Sequence, residues 1–221
     1  MAKQKTARVC IEAGARRTFA SALDWPGWSR SGRDEAQALG TLASYAGRYA
    51  LVAAEAGLDF DSGASFEVVE RVTGNATTDF GAPAMVASAE SDPPDAIEAA
   101  RLCALVAACW AVLDKVVAGA PAQLRKGPRG GGRDTEEVKQ HVIAAELAYA
   151  RKVGIRLGGD VAATRAAVLD VIAGRWGASE ASFEGSRQAG SSHPSKWPPR
   201  YAARRIAWHV TDHAWEIEDK S

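Results

Sequence analysis

Three of the four histidines in the chain occupy positions at which their imidazoles could meet. His209 and His213 are four residues apart, a spacing that stacks two side chains one turn apart on one face of a helix. The apolar residues Ala202, Ile206 and Ile217 continue that face. We therefore expect both imidazoles to point into the interior of a helical unit.

The third histidine, His141, belongs to another predicted helix, on which it lies in line with Val138, Ala145 and Ala148. Neutral imidazole is a good ligand for zinc, nickel, iron and copper, and three such ligands leave a coordination position for water or substrate. The helical phase of the three residues therefore predicts a divalent-metal site on two helices. The alternative is a set of core histidines that hydrogen-bond without a metal. The fourth histidine, His193, lies in a Ser/Gly-rich loop, where we expect it to be solvated.

Nearby carboxylates are candidates for orienting these imidazoles. Glu146 follows His141 by five residues and Glu216 follows His213 by three, and carboxylates beside metal-bound histidines often fix the ring tautomer. A solvated surface charge is the alternative for Glu216. Asp212 does not share the histidine face, and we expect it to pair with an arginine.

A basic, glycine-rich loop precedes the helix that carries His141. Its cations Lys126, Arg129 and Arg133, together with the following helix N-terminus, could bind a carboxylate or phosphate. The loop matches no nucleotide-binding fingerprint. A flexible, solvated loop is the alternative. The arginines of the last helix, Arg200, Arg204 and Arg205, are ambiguous in the same way.

The composition predicts a folded core, because 47% of the 221 residues are hydrophobic. The formal net charge is zero, whereas nucleic-acid binders usually carry a basic surplus, so we expect no nucleic-acid partner. Cys10, Cys103 and Cys109 lack metal-binding spacing, and we interpret them as reduced thiols of a cytoplasmic protein. No stretch approaches about 18 uninterrupted apolar residues, so we expect no membrane span.

The first third of the chain predicts a small α+β unit. Apolar and β-branched runs favour strands at residues 7–12, 17–24 and 65–72, and a helix between the second and third strands ends near Gly57. The predicted order is ββαβ, within a domain that covers residues 1–72.

The rest of the chain predicts helices. Residues 73–94 are rich in Gly, Ala, Thr, Ser and Pro, which is typical of a linker or of a connection that lies on the protein surface. Residues 95–221 then form the second predicted domain, with helices at 95–118, 134–154, 160–174 and 200–219. Four helices joined by loops favour a four-helix bundle. The predicted fold class is therefore α+β, with the ββαβ unit followed by this bundle.

Two segments of the helical part resemble the DinB/YfiT-like superfamily. The run from Thr135 to His141, followed by Glu146 and Tyr149, resembles its second helix, and the run from Ile206 to His213 resembles its final histidine pair. The resemblance implies a four-helix bundle in which His141, His209 and His213 bind zinc or nickel. It also implies thiol-dependent isomerase or transferase chemistry, in which the metal activates a low-molecular-weight thiol such as mycothiol or bacillithiol. It assigns no catalytic acid or base.

The N-terminal part resembles the HicB-like fold less closely. The similarity lies in the segment from Phe19 to Trp28, which contains a D-x-P-G turn, and in the acidic helix start between Ser31 and Ala36. Domains of this fold often serve in recognition or dimerisation, which would allow a homodimer. A turn before a capped helix explains the same residues.

These observations leave two classes of function. The first is a metal-dependent enzyme of thiol transferase, isomerase or hydrolase type that activates a thiol or water for reaction with a small molecule. The second is a binding or interaction module whose histidines form a structural metal site or a metal-free core.

Overall fold

The computed structural model describes residues 6–127, 131–157, 159–175 and 197–221, and it is a mixed α+β structure, as predicted. The elements of the N-terminal part are β1 (Thr6–Ala13), β2 (Thr18–Ala22), β3 (Ser29–Gly32), α1 (Glu35–Ser44), α2 (Ala46–Glu55) and β4 (Ser65–Thr73). They are followed by α3 (Ala76–Phe80), a turn of 3-10 helix (Ser88–Glu90), α4 (Ala96–Gly119), α5 (Thr135–Lys152), α6 (Val161–Ile172) and α7 (Pro199–Lys220). The predicted strands and long helices all lie within two residues of these bounds.

The predicted ββαβ order is wrong in one respect, because a third strand precedes the helix. The sheet has the order β3-β2-β1-β4, in which β1 runs antiparallel to β2 and parallel to β4. Residues Ser29–Gly32 pair with β2 through their backbone, and their polar sequence gives none of the β-branched signal that marks a strand. The helix begins only after Asp34, whose side chain accepts a hydrogen bond from the Gln37 amide. It is interrupted at Tyr45, which separates α1 from α2.

The segment 73–94 is held against the sheet by a buried carboxylate. Glu12 of β1 accepts hydrogen bonds from the amides of Ala84 and Met85 at 2.9 and 3.0 Å, and from the Thr78 hydroxyl at 2.5 Å. The segment also includes α3 and the 3-10 turn. One continuous hydrophobic core includes residues of the sheet and of the four long helices α4, α5, α6 and α7. The predicted domain boundaries at residues 72 and 95 stay a prediction.

Helix α7 is the most deeply buried of the long helices. Residues 201–211 are all buried, and α7 packs against α4, α5 and α6. Its Arg204 forms an ion pair with Glu90 at 2.5 Å and donates to the Met85 carbonyl at 2.8 Å. Both charged side chains are at least 95% buried.

A second contact fixes α7 to the turn between β2 and β3. The Thr211 hydroxyl lies 2.9 Å from the Gly27 carbonyl, its nearest acceptor, and 3.1 Å from the Ala207 and Trp208 carbonyls of its own helix. Gly27 has a φ of 97°, and a Cβ at this position would lie 3.2 Å from the Cys109 Sγ and from the Thr211 Cγ2. The turn therefore approaches α4 and α7 closely, and its positive φ favours glycine at this position.

Helix α4 is the one described helix that is long and apolar enough to cross a membrane by length and composition. In this structure it packs against α2, α5, α6 and α7, and the buried side of the helix includes Leu102, Leu105, Cys109 and Leu113. The expected absence of a membrane span stays a prediction.

The ion pair between Arg204 and Glu90 yields a stability prediction. Arg204→Met leaves a buried carboxylate without its cation, so we expect the free energy of unfolding in urea to fall by about 3–5 kcal/mol. Arg200→Met is the matched control, because Arg200 pairs with Glu98 where both side chains are partly exposed. A surface pair of this kind contributes about 1 kcal/mol or less. Equal losses in the two variants would contradict the assigned role of Arg204.

Candidate metal centre

The structure brings His141, His209 and His213 together. One ring nitrogen from each residue lies within 4.8 Å of the others. The ring centroids are 5.2 Å apart for His141 and His209, 4.8 Å for His141 and His213, and 4.6 Å for His209 and His213. An ion at the centre of three nitrogens needs ligand distances of about 2.0–2.1 Å, which this spacing allows after small side-chain movements.

Helices α5 and α7 position these side chains. On α5, Val138, Val142 and Ala150 are buried and set the face on which His141 stands. The start of α5 is capped, since the Asp134 amide donates to the Glu137 carboxylate at 2.8 Å. On α7, the His209 side chain is buried, while His141 and His213 are each partly exposed. The cluster therefore opens to solvent at His141 and His213.

Glu216 orients His213. Its carboxylate lies 2.7 Å from the His213 Nδ1 and also accepts a hydrogen bond from the Lys220 ammonium at 2.5 Å. The pKa of Glu216 is lowered to about 2, chiefly by the hydrogen bond from His213. The carboxylate is therefore ionised at neutral pH. An ionised partner requires a proton on Nδ1, which leaves the Nε2 lone pair of His213 free for a ligand bond. Glu216 is therefore a histidine partner rather than a solvated charge.

His209 has a buried nitrogen without a partner. Its Nδ1 makes no hydrogen bond within the described residues. Burial, together with the charges of His213 and Arg205, lowers the pKa of His209 to about 2. The pKa of His141 is also lowered, first by burial and then by His213. Both rings are neutral at pH 7, the state in which imidazole binds a metal.

Aromatic rings and an arginine enclose His209. Tyr149 and Trp208 contact the His209 ring with centroid distances of 5.5 and 6.1 Å. The Arg205 guanidinium lies over both rings, 4.9 Å from the Tyr149 centroid and 4.7 Å from that of Trp208. Trp197 packs on Tyr149 at 5.3 Å, so it borders the cluster through that ring.

The other two predicted carboxylates belong to separate ion pairs. Asp212 pairs with Arg30 at 2.7 Å, which confirms that it binds an arginine. Glu146 is buried and accepts hydrogen bonds from Arg165 at 3.0 and 3.2 Å. Burial raises the pKa of Glu146. Its partner is an arginine of α6 rather than a histidine.

The cations of the basic loop are not gathered into a site by the described residues. Lys126 pairs with Asp134 at 2.6 Å and also donates to the Gly132 carbonyl. Arg133 is exposed. Arg129 and His193 lie outside the described residues. Anion binding by the loop stays a prediction.

Of the three arginines on the last helix, two have carboxylate partners and one does not. Arg200 pairs with Glu98 and Arg204 with Glu90. Arg205 is 7% exposed, and its buried Nη1 has no hydrogen-bond partner within the described residues. The sequence analysis named Arg205 with Arg200 and Arg204 as a possible anion-binding residue without distinguishing the three, although its position four residues before His209 places it on the histidine face.

Comparisons with protein-family models, with curated proteins and with solved structures found no match to this chain.

The depressed pKa of His209 predicts how stability depends on pH. In the unfolded chain a histidine binds a proton near pH 6.5, whereas folded His209 resists protonation down to about pH 2. The unfolded state therefore binds more protons across this interval, and stability falls as pH falls below 6.5. In chelator-treated protein we expect His209 to contribute up to about 1.4 kcal/mol of loss per pH unit, measured by urea unfolding at pH 6.5, 5.5 and 4.5.

His209→Leu is the control for this experiment, because leucine takes up no proton. The free energy of unfolding of this variant should fall less steeply with falling pH than that of wild type, by up to about 1.4 kcal/mol per pH unit, the contribution of one proton. His141 still contributes to the fall in both proteins. Parallel pH profiles for the two proteins would show that His209 is not held neutral by burial.

Proposed function

We propose that His141, His209 and His213 hold one divalent ion, zinc or nickel, and that the protein is a metal-dependent enzyme acting on a small molecule. The observation that carries the proposal is the convergence of three imidazole nitrogens within 4.8 Å. An ion bound by three neutral imidazoles keeps an open position and lowers the pKa of a thiol or water that enters it. The reaction class is thiol transfer, isomerisation or hydrolysis.

The number of ligands favours a catalytic over a structural ion. Structural zinc sites are closed by four protein ligands, whereas catalytic sites have three and an open position. Within the part of the chain that the structure describes, no fourth histidine, cysteine or carboxylate joins the group. Glu216 contributes by holding the His213 tautomer through Nδ1. The partial exposure of His141 and His213 supports access for a ligand.

The charges around the histidines favour an anionic ligand. Arg205 and Arg133 both act to lower the pKa of His209, and Glu216 is the carboxylate in direct contact with the cluster. Three neutral imidazoles do not offset the charge of a divalent ion. A thiolate or hydroxide in the open position would therefore be stabilised by the field of the site.

Any thiol activated at this site would come from outside the chain. Cys109 and Cys10 are buried, and burial raises the pKa of both thiols, that of Cys10 to about 12. The Cys103 thiol lies 3.4 Å from the Leu169 carbonyl, and its pKa is also raised. These thiols are protonated at neutral pH and are poor nucleophiles. A low-molecular-weight thiol is the co-substrate that fits this arrangement.

The resemblance to the DinB/YfiT-like superfamily supports the same proposal. In the superfamily pattern, the second of four long helices supplies one histidine and the last supplies two. In this chain α5 is the second of the four long helices and α7 is the last. We accordingly propose a DinB-like four-helix bundle for α4–α7, with the HicB-like N-terminal unit packed on it. If the site instead holds a structural ion, chelation should lower the melting temperature while loss of the ion leaves partner binding unchanged.

Elemental analysis of protein purified without an affinity tag tests the metal site. We expect about one zinc or nickel ion per chain, and its loss in His213→Ala. Glu216→Gln keeps the three imidazoles but weakens the Nδ1 contact, so metal affinity should fall about 10- to 100-fold.

Asp212→Asn is the matched control for this experiment. It removes a carboxylate next to His213 in sequence, yet that carboxylate contacts Arg30 rather than the histidines. The variant should retain the ion with unchanged affinity. Wild-type protein without stoichiometric metal, even after incubation with zinc or nickel, would refute the proposed function.

A further inference from the structure

The buried guanidinium of Arg205 is not explained by the metal site alone. A buried charged group costs free energy unless it is paired and hydrogen-bonded. Arg204, the adjacent residue, meets this requirement through Glu90. Arg205 is buried to a similar degree, but the described residues supply it with two aromatic rings and no carboxylate, and its side-chain hydrogen bond is to the neutral Tyr149 hydroxyl. Its Nη1 is left without a hydrogen-bond acceptor.

The free donor lies beside the histidine cluster. The two rings that Arg205 contacts, Tyr149 and Trp208, are also the rings that contact His209. Arg205, His209 and His213 follow one another at intervals of four residues along one face of α7. A ligand that reaches the open position between the histidines would therefore pass close to the guanidinium.

We propose that Arg205 binds a carboxylate on the small molecule whose other end occupies the open position at the three histidines. This inference rests on the proposed function, and it defines the substrate class as a carboxylate-bearing ligand. The guanidinium carbon lies over both rings, at 4.9 Å from the Tyr149 centroid and 4.7 Å from the Trp208 centroid, and its unpartnered Nη1 can donate a charge-assisted hydrogen bond to a carboxylate. One unpartnered nitrogen suits a singly charged carboxylate better than a phosphate dianion, whose three oxygens call for several donors.

The experiment compares 3-mercaptopropionate with its amide, which has nearly the same shape but lacks the charge. The first measurement uses chelator-treated protein, so that it does not depend on the metal. Added at matched concentrations, the acid should raise the melting temperature of wild-type protein and the amide should not, because a ligand that binds the folded state stabilises it. Arg205→Met should abolish the effect of the acid while keeping an apolar side chain between the two rings.

Arg133→Met is the matched control, since Arg133 is exposed and acts on the cluster only through its field. This variant should retain the preference for the acid. Arg205→Lys keeps the charge without the planar fork, and it should bind the acid more weakly than wild type.

The second measurement uses cobalt(II)-loaded protein and follows the sulfur-to-cobalt absorption band during titration. Wild-type protein should bind the acid at least about tenfold more tightly than the amide, and Arg205→Met should bind the two equally. Failure to load cobalt, together with acid-selective stabilisation in the first measurement, would refute the metal site but uphold the carboxylate site. Absence of acid selectivity in the metal-free protein, or equal stabilisation by inorganic phosphate, would overturn the assignment of Arg205.

Discussion

Helix α7 must bury a polar sequence, and this constraint organises most of the structure. Residues 201–211 are buried throughout, although they include two arginines, a histidine and a threonine. Buried polar groups have to be hydrogen-bonded or the fold loses stability. Arg204 is satisfied by Glu90 from the 3-10 turn, and Thr211 by the Gly27 carbonyl from the β2–β3 turn. The N-terminal unit and the segment 73–94 thus supply the polar partners that allow α7 to be buried.

The buried polar atoms of α7 that lack a hydrogen-bond partner lie close together. The structure describes this helix throughout, and its buried side-chain atoms without a partner are the Nη1 of Arg205 and the Nδ1 of His209. Unsatisfied groups lower stability and are usually removed by evolution unless they have a function. Both atoms belong to residues that contact the same two rings beside the histidine cluster. The site therefore combines neutral imidazoles with a fixed positive charge, and it lacks a buried anion of its own among the described residues.

The sequence predicts the features that follow from helical periodicity. It does not predict a strand or an ion pair that depends on a partner far away in the chain. The four-residue interval between His209 and His213 and the phase of His141 indicated that all three imidazoles face the interior, because helical geometry fixes which side chains share a face, and the structure brings the three together. The strand β3 was missed because its residues are polar and owe their conformation to backbone pairing with β2. The partner of Arg204 was equally invisible, since Glu90 is 114 residues away in the chain. The difference between Arg204, which has a carboxylate partner, and Arg205, which has none, emerges only from a comparison of their two environments.

The contacts of Arg204 and Thr211 have a mechanical consequence for the histidines. They fix α7 at two points seven residues apart, on either side of His209, one attached to the segment 73–94 through Glu90 and the other to the β2–β3 turn through Gly27. A helix held in this way can neither slide along its axis nor rotate without breaking one of the two contacts. The position of His209 relative to the β2–β3 turn and the segment 73–94 is therefore specified before any ligand binds. Two of the three imidazoles, those of His209 and His213, therefore stand on a helix whose placement is set by residues more than a hundred positions earlier in the chain.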